Sequence, residues 1–327
     1  MVSDRIDHGK ITEDFISDLR SYLRVEGGIG FRDYGRAIET AITEMELTKG
    51  AKVIISPLSP RIYWDILNDM EIEMVFPDVD PKSGCLYTEG FTELKIDDID
   101  AIIVTYPLGY VPEIQRLVDL GIPVLEDISQ GLGSNNGEKK AGSFGSYVIA
   151  GLEPDHIITA GGGCVLYARG RRNGAALKRM ANSLPKEVLL PDMNSSLGII
   201  QVKELEKYIV RRRDIAVLYS RSLMQSRHRM LTQVGDAENI YYTFPVLLET
   251  GMKEVSAFAK KNGIETAPAF KSTILEYILL EEDQNIIDIK NIPNAMNLYL
   301  RTIAFPLYPM LGIKESEKIS KVLTSLP

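Results

Sequence analysis

The sequence predicts an α/β protein in two parts. A large domain carries a mainly parallel sheet between two layers of helices, and a smaller α+β domain follows it. Short, near-continuous apolar runs alternate with helical patterns through the first 130 residues. That alternation marks strand–helix–strand units whose sheet is covered on both faces. Past a long polar-surfaced helix expected over 197–222 the alternation stops, which sets the domains at 1–207 and 208–327, with the boundary near Tyr208.

Taken in order, Phe15, Ile16, Leu19, Tyr22 and Leu23 have helical spacing, so 15–23 reads as an amphipathic helix. The cluster Gly27-Gly28-Ile29-Gly30 breaks it, and a second helix over 37–47 ends at Lys49-Gly50. Strands are expected at 53–55, 74–76, 101–105 and 123–125, with helices near 62–69 and 111–120 between them. After the long helix come a strand over 241–249, a helix over 252–261 closed by Asn262-Gly263, a strand over 264–270 and a last helix over 314–324.

Composition narrows the function classes. The 327 residues are 45% hydrophobic and 25% charged, ordinary globular values that exclude disorder and low-complexity architectures. With 37 Lys and Arg against 45 Asp and Glu, the net charge is -8, and no long basic run is present to track a nucleic-acid backbone. The two cysteines, Cys85 and Cys164, supply neither a zinc set nor a disulfide framework, and no pair of histidines has metal-ligand spacing; no metal is expected. The longest apolar runs are too short to span a bilayer, and residues 1–10 lack the apolar core of a signal peptide, so a cytoplasmic setting is expected.

Five local signals bear on chemistry. Gly131 to Gly137 follows a strand but lacks dinucleotide-binding spacing and reads as a glycine-rich loop. Glu126-Asp127 ends an apolar run, where α/β sheets place ligands, and Gln130 lies three residues on; a helix-capping Asp and a solvated Gln are the alternative. His156 sits in a loop between two apolar runs, ahead of Gly161-Gly162-Gly163, either structural or reactive. Arg36, just after Gly35 at the start of the second helix, is either an anion ligand or a surface arginine. Arg211-Arg212-Arg213 reads as the solvated face of a helix, with a subunit contact as the alternative.

Five stretches, in order along the chain, carry more. Pro77-Asp78-Val79-Asp80-Pro81, Ile122-Pro123-Val124-Leu125-Glu126-Asp127-Ile128-Ser129-Gln130, Lys139-Lys140-Ala141-Gly142-Ser143-Phe144-Gly145, Gly198-Ile199-Ile200-Gln201-Val202-Lys203-Glu204-Leu205 with its trailing arginines, and Phe305-Pro306-Leu307-Tyr308-Pro309 are all similar to family segments. Together they resemble the sugar aminotransferases of the DegT/StrS type, fold-type I pyridoxal-phosphate enzymes. The resemblance implies that Asp127 pairs with the coenzyme's pyridine nitrogen, the contact that makes the ring an electron sink, and that Gln130 hydrogen-bonds its phenolic oxygen. It implies a homodimer and a sugar-like small-molecule ligand, with neither nucleic acid nor membrane as partner.

Other positions depart from the family's pattern. His156 stands where the family has its Schiff-base lysine, and an imidazole cannot form the internal aldimine. Gly151 replaces a phosphate-binding serine, and the S-G-T phosphate turn reads Asp33-Tyr34-Gly35, leaving Gly35 and Arg36 as remaining candidates for that anion. Pro60 replaces a ring-stacking aromatic, and Glu187 an asparagine that reaches across the dimer. Each lost charge-assisted hydrogen bond costs roughly 1.5–3 kcal/mol, so the coenzyme, pyridoxal or pyridoxamine phosphate, is expected to be absent or weakly bound. The expectation is a sugar- or nucleotide-sugar-binding homologue without transaminase activity. The alternatives are a pyridoxamine-phosphate-dependent sugar 3-dehydratase with His156 as base, and a non-catalytic partner of an active paralogue.

Overall fold

In the computed structural model, which describes residues 6–92, 94–281 and 287–327, the chain builds a seven-stranded mixed sheet and a separate four-stranded one. Met1–Arg5, part of the stretch read for a signal peptide, lie outside the described residues. The large sheet comprises β1 (Gly28–Phe31), β2 (Lys52–Ile55), β3 (Glu73–Val75), β4 (Ala101–Thr105), β5 (Val124–Asp127), β6 (Tyr147–Gly151) and β7 (Cys164–Ala168), in spatial order β1-β7-β6-β5-β4-β2-β3. From β6 to β3 the neighbours are parallel, while β7 and β1 complete that edge antiparallel. Strands β4 to β7 are buried at every residue, as a sheet covered on both faces requires.

Helices α1 (Lys10–Leu23), α2 (Tyr34–Glu44), α3 (Arg61–Asp69), α4 (Ile114–Asp119) and α5 (Arg171–Ser183) belong to this half of the chain. The 32-residue α6 (Asp192–Leu223) follows; Tyr208 lies inside it, so the chain runs on in one uninterrupted helix. The small sheet holds β8 (Arg229–Met230), β9 (Phe244–Leu247), β10 (Ala267–Pro268) and β11 (Thr302–Phe305), accompanied by α7 (Met252–Lys261), α8 (Ile274–Leu280), α9 (Pro293–Arg301) and α10 (Ile313–Thr324). Its own apolar cluster joins Tyr219 and Leu223 of α6 to Phe244, Phe305 and Leu323.

Several expectations need correction. The glycine cluster does not end α1; Arg24 does, in the left-handed region (φ 57°), and the glycines enter β1 instead. A Cβ on Gly28 would lie 2.5 Å from the Tyr167 ring of the neighbouring strand, so only glycine lets β1 and β7 approach. Helix α2 begins earlier than 37 because the Asp33 carboxylate accepts the Arg36 backbone N–H at 2.8 Å and caps it. The strand expected over 264–270 shrinks to Ala267–Pro268, where Pro268 has no N–H to extend the ladder. Helix α5 and strand β11 carried no reading from sequence.

Arg211-Arg212-Arg213 is not a solvated face. Arg212 is buried, and its Nη1 donates to the carbonyls of Tyr241, Tyr242 and Leu307, pinning those segments to α6. Arg211 donates to the Leu311 carbonyl, and Arg213 pairs with Glu238 at 2.9 Å. Asp78, in the first of the five family-like stretches, accepts the N–H groups of Asn294 and Ala295 at 3.0 and 2.9 Å and so ties the opening turn of α9 to the large sheet.

Candidate functional site

The carboxyl ends of parallel strands point into a crevice where α/β sheets bind ligands. Here β4 delivers Thr105 and Tyr106, and β5 delivers Asp127, Ser129 and Gln130. The turn after β6 adds Asp155 and His156, while Tyr34 enters from α2 and Pro60 from the turn before α3. Tyr242 and the segment 269–273, with Lys271, close the other wall around a cleft of about 220 Å³.

Asp127 is 3% exposed, and its carboxylate is fully engaged by the chain itself. Oδ2 accepts the hydroxyls of Tyr34 and of Tyr63, the latter at 2.7 Å. Oδ1 accepts the Ser129 N–H at 3.0 Å and the Ser129 hydroxyl at 2.6 Å. A carboxylate offers about four acceptor positions, and all are taken. Burial, then the charge of Asp127, pushes both phenols well above the ordinary tyrosine range, which keeps them protonated donors.

His156 packs its ring edge-on against Tyr34, with centroids 5.9 Å apart. Its Nδ1 accepts the Glu153 N–H at 3.2 Å. A ring nitrogen that accepts carries no proton, so the neutral imidazole holds its proton on Nε2. The imidazole lies so close over Gly151 that a Cβ there would collide with Cε1 and Nδ1 and approach the Ser129 hydroxyl to 2.7 Å. Glycine at 151 and histidine at 156 are therefore one packing solution. Ser129 completes the group, accepting the Gly151 N–H at 2.8 Å while its own hydroxyl donates to Asp127.

The structure brings Asp127, Gln130 and His156 to one cleft. Gln130 Oε1 accepts the Leu108 N–H at 2.8 Å, which fixes the amide's orientation. Tyr242 donates to Asp155 at 3.2 Å. Gly35 and Arg36 do not line the cleft: Gly35 is buried in the first turn of α2 beside Ile62 and Ile66, and the Arg36 side chain pairs with Glu39 at 2.7 Å, half exposed. Glu187 is exposed on a short turn, Lys186–Val188, away from the lining. Among the described residues no group of three or more His, Cys, Asp or Glu is arranged to hold a metal ion, and no helix is long and apolar enough to cross a membrane.

Pyridoxal phosphate does not fit these residues. Its pyridinium needs a free carboxylate oxygen, and both oxygens of Asp127 are saturated. The Asp33 carboxylate, at the N-terminus of α2, already accepts the Arg36 N–H there.

Sequence reasoning missed Tyr63 and Ser129 as partners of Asp127. Tyr63 sits on the buried face of α3 beside Ile66 and Leu67, where a tyrosine's polar tip requires a partner. The spacing Asp127-Ile128-Ser129 was the available signal for a local turn.

The chain is similar to known proteins over nearly its whole length. It is 21% identical to the GDP-perosamine synthase of Vibrio cholerae over 282 residues, 80% of this chain and 77% of the relative. The crystal structure of an aminotransferase from Psychrobacter cryohalolentis superposes with a TM-score of 0.87 at 16% identity, covering 99% of this chain and 93% of that one. An E. coli GDP-4-keto-6-deoxy-D-mannose-3-dehydratase with bound hydrated PLP superposes with a TM-score of 0.86 at 17% identity, covering 97% and 92%. These matches give the fold as that of the fold-type I pyridoxal-phosphate superfamily. The sequence profile of the DegT/DnrJ/EryC1/StrS aminotransferase family matches residues 1–326, and the chain belongs to that family.

Proposed function

We propose that this chain binds a small sugar-like ligand in the cleft beside Asp127 without a B6 coenzyme and does not transaminate. One observation carries the reading: every acceptor position of Asp127 is filled by Tyr34, Tyr63 and Ser129. What remains suits a polyhydroxylated molecule. The cleft presents Gln130, the Nε2–H of His156, Lys271 and the Asp155–Tyr242 pair, a mixture of donors and acceptors on walls of Pro60, Leu58 and Phe270. The same reading takes residues 1–207 and 208–327 as its two domains, a cytoplasmic setting, and a homodimer. Met193, Leu197 and Ile200, exposed in succession on α6, support the homodimer.

The fold likeness to the E. coli dehydratase favours a second reading, in which His156 removes a proton from substrate. A base needs a free lone pair, and the one on His156 Nδ1 is engaged by the Glu153 N–H. The binding reading therefore stands ahead of it. Equilibrium dialysis of the purified chain against pyridoxal and pyridoxamine phosphate, followed by absorbance, tests both. No saturable uptake is expected. Tight, stoichiometric uptake with a shifted absorption band would overturn the binding reading, and turnover of a keto-sugar nucleotide lost in His156→Asn would establish the dehydratase.

A further inference from the structure

Asp33 caps α2 and Tyr34, the next residue, lines the cleft against Asp127 and His156. The family resemblance implies that the tripeptide Asp33-Tyr34-Gly35 stands where the phosphate turn would lie. A helix N-terminus favours an anion through its free N–H groups and dipole. At α2 that anion is supplied by the chain: the Asp33 carboxylate accepts the Arg36 N–H at 2.8 Å. In pyridoxal the ring nitrogen is para to the carbon that bears the aldehyde, so a bound ring bridges the aspartate and the lysine position. The Tyr34 ring makes the same bridge, its hydroxyl on Asp127 Oδ2 and its edge against the His156 imidazole.

We propose that the dipeptide Asp33-Tyr34 is a built-in stand-in for the coenzyme, with the carboxylate in the phosphate's place and the phenol in the ring's place. The family crevice is thereby held in its loaded shape by side chains, and Tyr34 is the residue that excludes the B6 ring. This rests on the coenzyme-free reading of the site and adds the residues responsible. It also explains why the crevice keeps Asp127 and Gln130: the carboxylate now orders Tyr34 and Tyr63, and the glutamine amide holds the Leu108 backbone.

The test restores the missing space and groups stepwise in the full chain and reads pyridoxal phosphate uptake by dialysis, absorbance and borohydride trapping. In Asp33→Ser/Tyr34→Gly/His156→Lys the lysine amine can add to the aldehyde with loss of water, so a saturable, reducible adduct at one site is expected. Tyr34→Phe/His156→Lys keeps the ring and is expected to take up none, although one acceptor on Asp127 is freed. Ligand choice separates the two halves of the dipeptide. With Asp33 retained, Tyr34→Gly is expected to prefer pyridoxine, which lacks a phosphate. Adding Asp33→Ser is expected to shift preference toward the phosphorylated vitamer by roughly ten- to a hundredfold, the worth of a charged hydrogen bond.

If the unmodified chain takes up the coenzyme, the coenzyme-free reading fails. If the unmodified chain takes up none and the triple variant takes up none, or if the Phe variant gains as much as the Gly variant, the stand-in proposal fails alone. Should Tyr34→Gly lose its fold, refolding with pyridoxine is expected to restore cooperative unfolding, since the added ring refills the cavity. No restoration overturns the proposal.

Discussion

Two neighbouring carboxylates at the end of β5 are both buried and both saturated, yet by different means. Glu126 accepts the N–H groups of Gly142, Phe144 and Gly145 at 2.6, 3.1 and 2.8 Å, together with the Tyr106 hydroxyl. Asp127 accepts three side-chain hydroxyls and one N–H. Successive residues of a strand face opposite sides of the sheet, so one carboxylate meets a turn and the other meets the crevice. Backbone donors cannot be removed by substitution, whereas hydroxyl donors are a matter of three side chains. The first arrangement is architecture that any family member with this turn can keep. The second rests on side chains and can be rewritten without disturbing the strand.

The contrast is sharpest in stability. Glu126→Ala strands three backbone N–H groups and a phenol in the interior, each costing about 1–3 kcal/mol, so a loss of about 4 kcal/mol or more is expected in urea unfolding. Burial already pushes the Glu126 carboxyl upward against its hydrogen bonds, so the site has no slack for a lost partner. Asp127→Asn keeps an acceptor and leaves the displaced hydroxyls near the cleft, where water can reach them; about 2 kcal/mol is expected. If Asp127→Asn proves the costlier of the two, the division between architecture and rewritable site is wrong.

Next in size is the pairing of Gly151 with His156. A methyl at 151 meets the imidazole and the Ser129 hydroxyl, so Gly151→Ala is expected to destabilise by about 1–3 kcal/mol. Combining it with His156→Gly removes the imidazole part of the clash and leaves only the Ser129 contact, so a favourable coupling of about 1 kcal/mol or more in a double-mutant cycle is expected. Additive costs would show that the two positions do not constrain each other's packing.

The hydroxyl-bound carboxylate should also report on pH. Tyr34 and Tyr63 titrate well above the unfolded value of about 10, chiefly through burial and then through Asp127. A group raised in the folded state stabilises fully below its unfolded value and loses that contribution as pH rises. Melting temperature is therefore expected to hold up to about pH 9 and to fall beyond about pH 10, less steeply in Tyr34→Phe than in the unmodified chain. Equal slopes would mean that the Tyr34 hydroxyl is not the buried donor described here.

How much of this was legible in the sequence follows from what kind of interaction each residue makes. Strands β2, β4 and β5 announce themselves because sheets buried on both faces demand unbroken apolar runs. β1 did not, because its glycines serve a long-range approach to Tyr167 that local pattern cannot register. Asp127 and Gln130 were legible at the end of an apolar run and His156 in a loop between two such runs, and the cleft gathers all three. Tyr34 was visible only as a missing glycine in a phosphate turn. That its ring reaches Asp127, 93 positions away, is a tertiary fact.

Arg36 is where the smallest effect decides the most. Sequence left it open as an anion ligand or a surface arginine, and in the structure it pairs with Glu39 on the exposed side of α2. An exposed i,i+3 pair contributes about 0–1 kcal/mol and is screened by salt. Arg36→Gln is therefore expected to change unfolding by less than about 0.5 kcal/mol at moderate ionic strength and to leave cleft ligand binding unaltered. Asp33→Ala offers the counterpart one turn earlier, because it removes the cap of the same helix at a cost of about 1 kcal/mol. If calorimetry instead finds that Arg36→Gln weakens phosphate binding while Asp33→Ala strengthens it, the N-terminus of α2 still receives anions from solution. The carboxylate of Asp33 would then compete for that place without having taken it over.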